Sequence, residues 1–229
     1  MDIEKLFSAA GGIFLSPVSQ VQSKLKATEV FIFDWDGVFN SGMKTGDEGS
    51  PFSEIDSMGI NLLRFSRWLS RGKVPYVFII TGENNPSAIK LAQRESFNAA
   101  FIKCKDKKQA LKKIIEKWGI EPNKIAGVFD DVLDLEIAQI IGLSFWVGRK
   151  STPMLAQYVH SNKVCDYITA SPGSGNAVRE VCELVMGLDG TYDEAVGKRI
   201  AFGKEYQTYL EERNRVEAEV IDFRENQDI

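Results

Sequence analysis

Histidine, cysteine and long apolar runs are scarce in this chain of 229 residues. The single histidine, His160, lies in a polar stretch and is expected at the surface or in ordinary packing. The three cysteines are scattered and form no CxxC pair, which indicates reduced packing residues in a cytoplasmic protein rather than a disulfide framework. No apolar run approaches the roughly 18 residues that a membrane-spanning helix needs.

An excess of positive charge is also lacking. Lys and Arg number 28 against 32 Asp and Glu, which gives a net charge of -4 and a pI near 5.3. No global basic field is available to recruit nucleic acid or an anionic membrane, so neither is an expected partner. Near the start, Asp2 and Glu4 precede only a short apolar stretch, so no secretory signal peptide is predicted and a cytoplasmic location is expected.

The chain does have a regular alternation of apolar runs and amphipathic segments. Hydrophobic residues make up 44% of the sequence, enough for one well-cored domain. Continuous apolar strands separated by helices predict an α/β fold with a doubly wound, Rossmann-like parallel sheet and helices on both faces. Strands are predicted at 29–34, 74–80, 99–103, 124–129 and 143–148, with a shorter candidate at 166–169, and helices at 57–73, 85–96, 106–119, 133–142 and 176–187.

The two ends fall outside this alternation. Residues 1–28 are expected to form a helical N-terminal lead-in, and residues 190–229 a charged, helical C-terminal extension, on either side of one α/β domain at 29–189. For the C-terminal part, a solvated charged helix is the expectation and an interaction surface is the alternative.

Polar residues follow directly after several of the predicted strands. Because ligands of an open parallel sheet bind beyond the carboxyl ends of its strands, these residues are candidates for one common site. A lysine at the start of the helix before the fourth strand is expected to reach the same edge. The candidates are Asp34 and Asp36 after the first strand, Thr81 and Gly82 after the second, Asp130 and Asp131 after the fourth, Asp134 one turn later, and the lysine, Lys107.

A divalent cation would explain the acidic members of this set. A buried strand that ends in two carboxylates loses hydration around like charges, which costs stability unless a positive group lies beside them. Asp34, Asp36 and Asp130, together with a backbone carbonyl beside Asp34, offer oxygen ligands for Mg²⁺. A bound Mg²⁺ retains water ligands that a phosphate can replace. Thr81 offers a hydroxyl and backbone N–H groups, and Lys107 a positive charge, for a phosphoryl group.

These residues, in this order, resemble the four sequence motifs of the haloacid dehalogenase (HAD) superfamily of phosphohydrolases. The sequence DWDGV at 34–38 is similar to the first motif, ITG at 80–82 to the second, Lys107 to the third, and DDxxD at 130–134 to the fourth. The resemblance covers about residues 29–188. A DxDG pattern alone is a weak signal, whereas four motifs in order, each at a strand end or helix start, are specific.

This resemblance implies a mechanism. Asp34 would attack phosphorus and form an aspartyl-phosphate, and Asp36 would protonate the leaving alkoxide and later deprotonate the attacking water. The cofactor Mg²⁺ and Lys107 would offset the negative charge of the transferring group, which Thr81 and Gly82 would also bind. The supporting aspartates are Asp131, expected to hold Lys107 or a metal-bound water, and Asp134.

The spacing between the motifs leaves no room for a cap domain. A small β-hairpin insertion fits after the first strand, and this segment and the stretch 171–185 resemble the capless sugar-acid phosphatases typified by 3-deoxy-D-manno-octulosonate 8-phosphate phosphatase. That resemblance implies a homotetramer, assembled with the help of the hairpins, and a small phosphorylated metabolite of the sugar or sugar-acid class as substrate. Two positions depart from it: Glu83 stands where arginine is usual, and Phe129, where glycine is usual, is expected to add bulk near the phosphate pocket.

Two other functions remain as alternatives. A signalling receiver domain also combines Asp, Mg²⁺, Thr and Lys, but it carries its phosphoacceptor after the third strand, whereas the candidate here follows the first. A catalytically weak or inactive scaffold or regulatory protein with the same fold would be consistent with Glu83 and Phe129. Within the candidate site, Lys105 is close enough in sequence to Lys107 to be mistaken for it.

Overall fold

An eight-stranded, mostly parallel β-sheet forms the centre of the protein in a computed structural model, which describes residues 1–224. The strands lie in the order β1-β7-β6-β5-β2-β3-β4-β8, and β1 runs antiparallel to its neighbour β7. Their bounds are β1 Ile13–Phe14, β2 Val30–Asp34, β3 Tyr76–Ile80, β4 Ala99–Ile102, β5 Ile125–Phe129, β6 Leu143–Trp146, β7 Tyr167–Ile168 and β8 Glu219–Asp222.

The central strand β2 is buried on both faces. Phe31 and Phe33 pack into one apolar cluster, while Val30 and Ile32 pack into the other, on the opposite side of the sheet. A strand without polar alternation is typical of a parallel sheet that is covered on both sides. Because β2 pairs in parallel with both β3 and β5, the carboxyl ends of these three strands lie at the same edge of the sheet.

Ten α-helices among the described residues cover the two faces. Helices α5, α6 and α7 pack on the face that contains Ile32, and the others pack on the face that contains Phe33. The helices are α1 Ile3–Ala9, α2 Val18–Ala27, α3 Glu54–Arg71, α4 Pro86–Arg94, α5 Lys107–Trp118, α6 Leu135–Ala138, α7 Pro153–Ser161, α8 Ala177–Asp189, α9 Tyr192–Ala201 and α10 Lys204–Arg213. The predicted α/β class, with a parallel sheet between two helical layers, is confirmed.

The small β-hairpin predicted after the first strand is not formed. Between β2 and α3 the described chain makes turns and one short 3₁₀-helix, Gly46–Glu48. Gly42, Gly46 and Gly49 all have positive φ angles, and the segment lacks alternating apolar side chains that could form a strand. The backbone N–H of Thr45 donates to the Gly49 carbonyl at 2.8 Å, which closes the segment into a loop.

Both ends of the chain add strands that the sequence pattern did not predict. β1 pairs with β7 at one edge of the sheet, and β8 extends the other edge parallel to β4. The predicted segments 1–28 and 190–229 also contain helices α1, α2, α9 and α10, while residues 225–229 lie outside the described part. Edge strands of two and four residues are too short for a period-2 pattern to be recognised. No helix of residues 1–224 has the length and apolar character needed to cross a membrane.

A buried aspartate on α3 holds the start of α8. Asp56 accepts hydrogen bonds from the backbone N–H of Arg179 at 2.9 Å and from the side-chain amide of Asn176 at 3.2 Å. Asn176 precedes α8 but does not cap it with its own side chain, so Asp56 takes that role from a neighbouring helix. Burial raises the pKa of Asp56 to about 6.

Asp56→Asn is expected to change how stability depends on pH. The folded protein retains a proton on Asp56 that the unfolded chain releases, so this carboxyl costs stability as the pH rises from about 4 to about 6. Between pH 4.5 and 7.5 the unfolding free energy of the wild type should therefore fall by about 2 kcal/mol relative to that of the variant. Urea unfolding at both pH values measures this difference, with Asp47→Asn, an exposed aspartate, as control. The same pH dependence in both proteins would contradict the assignment.

Candidate active site

Lys107 joins two of the candidate aspartates at the carboxyl edge of the sheet. Asp106 caps the start of α5, and Lys107, the first residue of the helix, is buried. Its Nζ atom lies 2.5 Å from Oδ1 of Asp34, the last residue of β2, and also pairs with Asp134. Lys105 is exposed. Lys107 is therefore the lysine of this segment that reaches the candidate site.

Burial and charge shift the pKa values of these three groups. Burial raises the pKa of the Asp34 carboxyl above its ordinary value, although the charge of Lys107 acts in the opposite direction. Burial, and then the charge of Asp34, raises the pKa of Asp134 to about 7. Burial acts to lower the pKa of Lys107, but the charges of Asp34 and Asp134 outweigh it, so that this pKa is raised. Lys107 is accordingly a cation that the side chains of Asp34 and Asp134 share.

Asp130 brings a third carboxylate to the same place. It directly follows β5 and is buried, and one carboxylate oxygen from each of Asp34, Asp130 and Asp134 lies within 4.8 Å of the others. Oδ2 of Asp130 pairs with Arg149, whereas its buried Oδ1 has no hydrogen-bond partner among the described residues. A buried oxygen without a partner is costly, and it is a ready ligand for a hard cation. The donor set therefore fits Mg²⁺.

Asp36 lies apart from the three clustered carboxylates, in contacts of its own. Its carboxylate accepts hydrogen bonds from the Ser50 hydroxyl, from Nζ of Lys44 at 2.6 Å and from the side-chain amide of Asn85 at 2.9 Å. The Asp36 side chain is 27% exposed, so a substrate and water can reach it. Of the predicted metal ligands, Asp36 is the one whose carboxylate lies outside the cluster.

Thr81 directly follows β3 and is fully buried. Its hydroxyl oxygen accepts a hydrogen bond from the Asn85 amide at 2.7 Å, so the hydroxyl proton is free to be donated elsewhere. The backbone N–H of Thr81 donates to the Phe101 carbonyl at 2.9 Å. This N–H is therefore not available to bind a phosphate, although the sequence suggested that it could be. The N–H of Gly82 makes no hydrogen bond within residues 1–224, and Glu83 beside it is exposed.

The aspartate that holds Lys107 is Asp134 and not Asp131. In the short 3₁₀-helix after β5, the Asp131 carboxylate accepts from the Val132 N–H at 2.7 Å, and Oδ2 of Asp134 accepts from the Asp131 N–H at 3.2 Å. This reciprocal cap leaves Asp131 exposed and Asp134 buried. Of the two roles expected for Asp131, holding Lys107 is wrong, because Asp134 holds it; holding a metal-bound water stays a prediction. Asp134 is more central than the sequence suggested.

Phe129 does not reach the phosphate pocket. Its side chain is 1% exposed and packs in the apolar cluster on the α5–α7 face, against Gly127. Side chains alternate along β5, so the residue just before Asp130 points into the core. The expected bulk near the phosphate pocket is therefore wrong, and Phe129 gives no reason to doubt activity.

Two glycines allow the close approach of loops at this edge. Gly37 has a φ of +89°, and a side chain on it would overlap Asp130 and Arg149. Gly173, in the glycine-rich stretch after β7, packs so closely that a side chain would overlap the carbonyls of Gly37 and Asn40. The stretch 171–176 therefore closes against the loop that carries the first motif.

Four residues that contact Asp36, Thr81 or Asp130 were not predicted from the sequence: Lys44, Ser50, Asn85 and Arg149. Arg149 follows β6 at the same edge of the sheet, so the strand-end argument could have found it. Asn85 stands at the start of α4 and resembles an ordinary helix cap, yet its side chain makes no capping hydrogen bond and turns into the site. Nothing in the sequence marks Lys44 or Ser50, since the fold of the loop alone brings them to Asp36.

Comparisons with known proteins agree with this geometry. No family model matches the chain. The 3-deoxy-D-manno-octulosonate 8-phosphate phosphatase KdsC of Escherichia coli (strain B / BL21-DE3) is 30% identical over 189 residues, which cover 80% of this chain and 93% of that protein. The chain belongs to the HAD superfamily of phosphatases, as a relative of KdsC. The corresponding enzyme of Salmonella typhi is 31% identical over 193 residues.

Solved structures extend the HAD assignment to the fold. The 3-deoxy-D-manno-octulosonate 8-phosphate phosphatase of Moraxella catarrhalis, solved with a magnesium ion, a phosphate ion and a KDO molecule, superimposes with a TM-score of 0.64 at 26% identity, covering 79% of this chain and 98% of that one. A HAD subfamily III A hydrolase from Legionella pneumophila gives a TM-score of 0.66 at 24% identity, covering 80% and 95%. The expected capless HAD fold is thus confirmed.

Proposed function

We propose that this protein is a Mg²⁺-dependent phosphomonoesterase that hydrolyses a small phosphorylated metabolite through an aspartyl-phosphate on Asp34. The observation that carries the proposal is the cluster at the carboxyl edge, where Asp34, Asp130 and Asp134 lie within 4.8 Å of one another and Lys107 pairs with two of them. Membership of the HAD superfamily supports the same reaction class, hydrolysis of phosphoric monoesters.

Asp34 and Asp130 are the residues that would hold Mg²⁺, with the backbone carbonyl of Asp36 as a further ligand. The bound ion would supply positive charge that polarises the phosphoryl oxygens and reduces their repulsion of the attacking carboxylate. The unpartnered Oδ1 of buried Asp130 supports this placement. A phosphatase of known structure among the relatives was solved with magnesium.

The reaction proceeds in two steps. In the first, a carboxylate oxygen of Asp34 bonds to phosphorus as the bond to the ester oxygen breaks, and Asp36 gives that oxygen a proton. In the second, Asp36 takes a proton from water, whose oxygen attacks phosphorus and releases the Asp34 carboxylate. Lys107, the Thr81 hydroxyl and the Gly82 N–H bind the phosphoryl oxygens, where charge accumulates in both steps.

A sugar phosphate or sugar-acid phosphate is the proposed substrate class. The named relatives are phosphatases of 3-deoxy-D-manno-octulosonate 8-phosphate. Exposed Glu83 lies two residues after Thr81 and carries a negative charge. A substrate carboxylate close to Glu83 would be repelled by about 1 kcal/mol or more in a partly screened site. We expect neutral sugar phosphates to compete well with sugar-acid phosphates for this reason.

A phosphate-release screen tests the proposal. The purified protein is incubated with Mg²⁺ and a panel of sugar phosphates, sugar-acid phosphates and nucleotides, and inorganic phosphate is measured. We expect release from at least one sugar or sugar-acid phosphate and loss of release when Mg²⁺ is chelated. No release from any ester of the panel would favour an inactive scaffold with this fold.

Arg149→Gln is expected to increase the affinity for Mg²⁺. Arg149 pairs with Asp130, so it competes with a cation for the same carboxylate. Removing one unit charge at close range should lower the Mg²⁺ concentration for half-maximal thermal stabilisation by about tenfold, which corresponds to ~1.4 kcal/mol of binding free energy. Lys150→Gln, which removes the adjacent exposed cation, is the matched control and should change it little. Unchanged or weaker Mg²⁺ binding in Arg149→Gln would contradict the metal site at Asp130.

We also propose that the protein is a cytoplasmic homotetramer, as the family resemblance implies. A loop at residues 42–50 stands where the hairpin was expected, so a tetramer would not be assembled through β-hairpins at this position. Light scattering measures the mass in solution; a fully active monomer would overturn the tetramer without affecting the proposed reaction.

A further inference from the structure

Asn85 lies between two motifs of the active site and uses both ends of its amide. The side chain is fully buried, and its Nδ2 donates to Oδ2 of Asp36 at 2.9 Å and to the hydroxyl of Thr81 at 2.7 Å. Its Oδ1 accepts from Nζ of Lys44 at 3.0 Å and from the backbone N–H of Ser50 at 3.4 Å. Every hydrogen-bonding position of the amide is therefore occupied by a group of the site or of the adjoining loop.

The loop 42–50 is fastened to the start of α4, beside Asn85. The Ser87 hydroxyl donates to the Glu48 carbonyl at 2.8 Å, and Lys90 forms an ion pair with the Glu48 carboxylate at 2.5 Å. Gly49 has a φ of +74°, and a Cβ on it would lie 2.5 Å from Oδ1 of Asn85. The loop thus fits closely over Asn85 and brings Lys44 and Ser50 to the Asp36 carboxylate.

We propose that Asn85 is a positioning residue for proton transfer, which with Lys44 and Ser50 forms a clasp around Asp36. The inference rests on the proposed function. The clasp holds the Asp36 carboxylate at a fixed distance from Thr81, hence from the phosphoryl group that Thr81 binds. Proton transfer requires the Asp36 carboxyl to lie within hydrogen-bond reach of the ester oxygen. Small displacements of a reacting group from its position lower the reaction rate strongly.

An amide is suited to this position because it donates and accepts at once. A carboxylate at position 85 would repel Asp36 and offer no donor to the Thr81 oxygen, and an apolar side chain would leave buried polar groups without partners. Lys44, whose side chain is 43% exposed, is the solvent-facing member of the clasp, whereas Asn85 is its buried centre. The hydrogen bond from Asn85 also directs the Thr81 hydroxyl proton away from Asn85, toward the phosphoryl site.

The test uses Asn85→Ala and a series of substituted phenyl phosphates whose leaving phenols differ in acidity. A good leaving group departs without a proton, whereas a poor one needs proton donation from Asp36. We expect kcat/KM of the variant to fall by about 100-fold for the poorest leaving group and by less than about tenfold for the best. The dependence of kcat/KM on leaving-group acidity should therefore become steeper. Asn84→Ala, which removes the exposed neighbouring asparagine, is the matched control and should keep the wild-type dependence.

A role in stability alone would lower kcat/KM for all esters by the same factor, and that result would overturn the inference. Lys44→Met is a second variant for the case in which Asn85→Ala does not fold, because Lys44 is partly exposed; it should steepen the same dependence by a smaller amount. Parallel wild-type and Lys44→Met dependences would then overturn the clasp. A wild-type protein that hydrolyses no ester of the series or of the wider panel would instead overturn the proposed function itself.

Discussion

Asp34→Asn is expected to abolish phosphate release, by at least about 10⁴-fold in kcat, while the protein stays folded. An amide oxygen is a poor nucleophile, so no aspartyl-phosphate can form at this position. The substitution preserves side-chain shape and removes a carboxyl whose pKa is raised by burial, although Lys107 favours its charge, so we expect the melting temperature to fall little. Phosphate release and thermal unfolding measure the two effects. Asp193→Asn, an exposed aspartate on α9, is the matched control and should retain wild-type turnover.

Turnover by Asp34→Asn within about tenfold of the wild type would contradict the role of Asp34. Loss of turnover together with loss of the folded structure would leave Asp34 essential for folding, and the near-isosteric substitution is chosen to avoid that. Because Lys107 keeps its ion pair with Asp134 in this variant, the structure gives no reason for unfolding.

Lys107→Met is expected to abolish turnover and to reduce the free energy of unfolding. The substitution leaves Asp34 and Asp134 buried without their shared cation, and breaking a buried pair by removing one partner costs about 3–5 kcal/mol. A bound divalent cation would partly replace the missing charge. Mg²⁺ should therefore raise the melting temperature of the variant by more than it raises that of the wild type, as thermal unfolding with and without Mg²⁺ measures.

Lys105→Met is the matched control for this experiment, since it removes an exposed lysine two residues away. It should leave turnover and stability close to those of the wild type. If Lys105→Met were the inactive variant and Lys107→Met the active one, the ion-paired cluster would not be the active site.

The centre of the site could be predicted because it depends on parallel strands alone. Asp34, Thr81 and Asp130 each directly follow a strand, and β2, β3 and β5 are neighbours in the sheet, so their ends meet at one edge. The identity of the lysine required one more fact, that Asp106 caps α5 and Lys107 points inward from the first turn. The start of a helix can be predicted only in part from a sequence.

The remaining contacts depend on loops whose shape is set by tertiary packing. The sequence predicts a small hairpin after the first strand, yet the three positive-φ glycines of residues 42–50 favour a closed loop that folds onto α4. Only that loop brings Lys44 and Ser50 to Asp36. The burial of Asp134 and the exposure of Asp131 likewise follow from a single 3₁₀ turn, in which the two aspartates cap each other.

Chemical trapping of the covalent intermediate identifies the carboxylate that attacks phosphorus. The protein is mixed with Mg²⁺ and a phosphate ester that it hydrolyses and is then quenched in acid, and borohydride is added to reduce the acyl phosphate to homoserine. Mass spectrometry of the peptides then locates the modified aspartate. We expect modification at Asp34 and none in Asp34→Asn. A modified residue elsewhere, or rapid turnover with no trapped adduct at any position, would show that Asp34 is not the nucleophile.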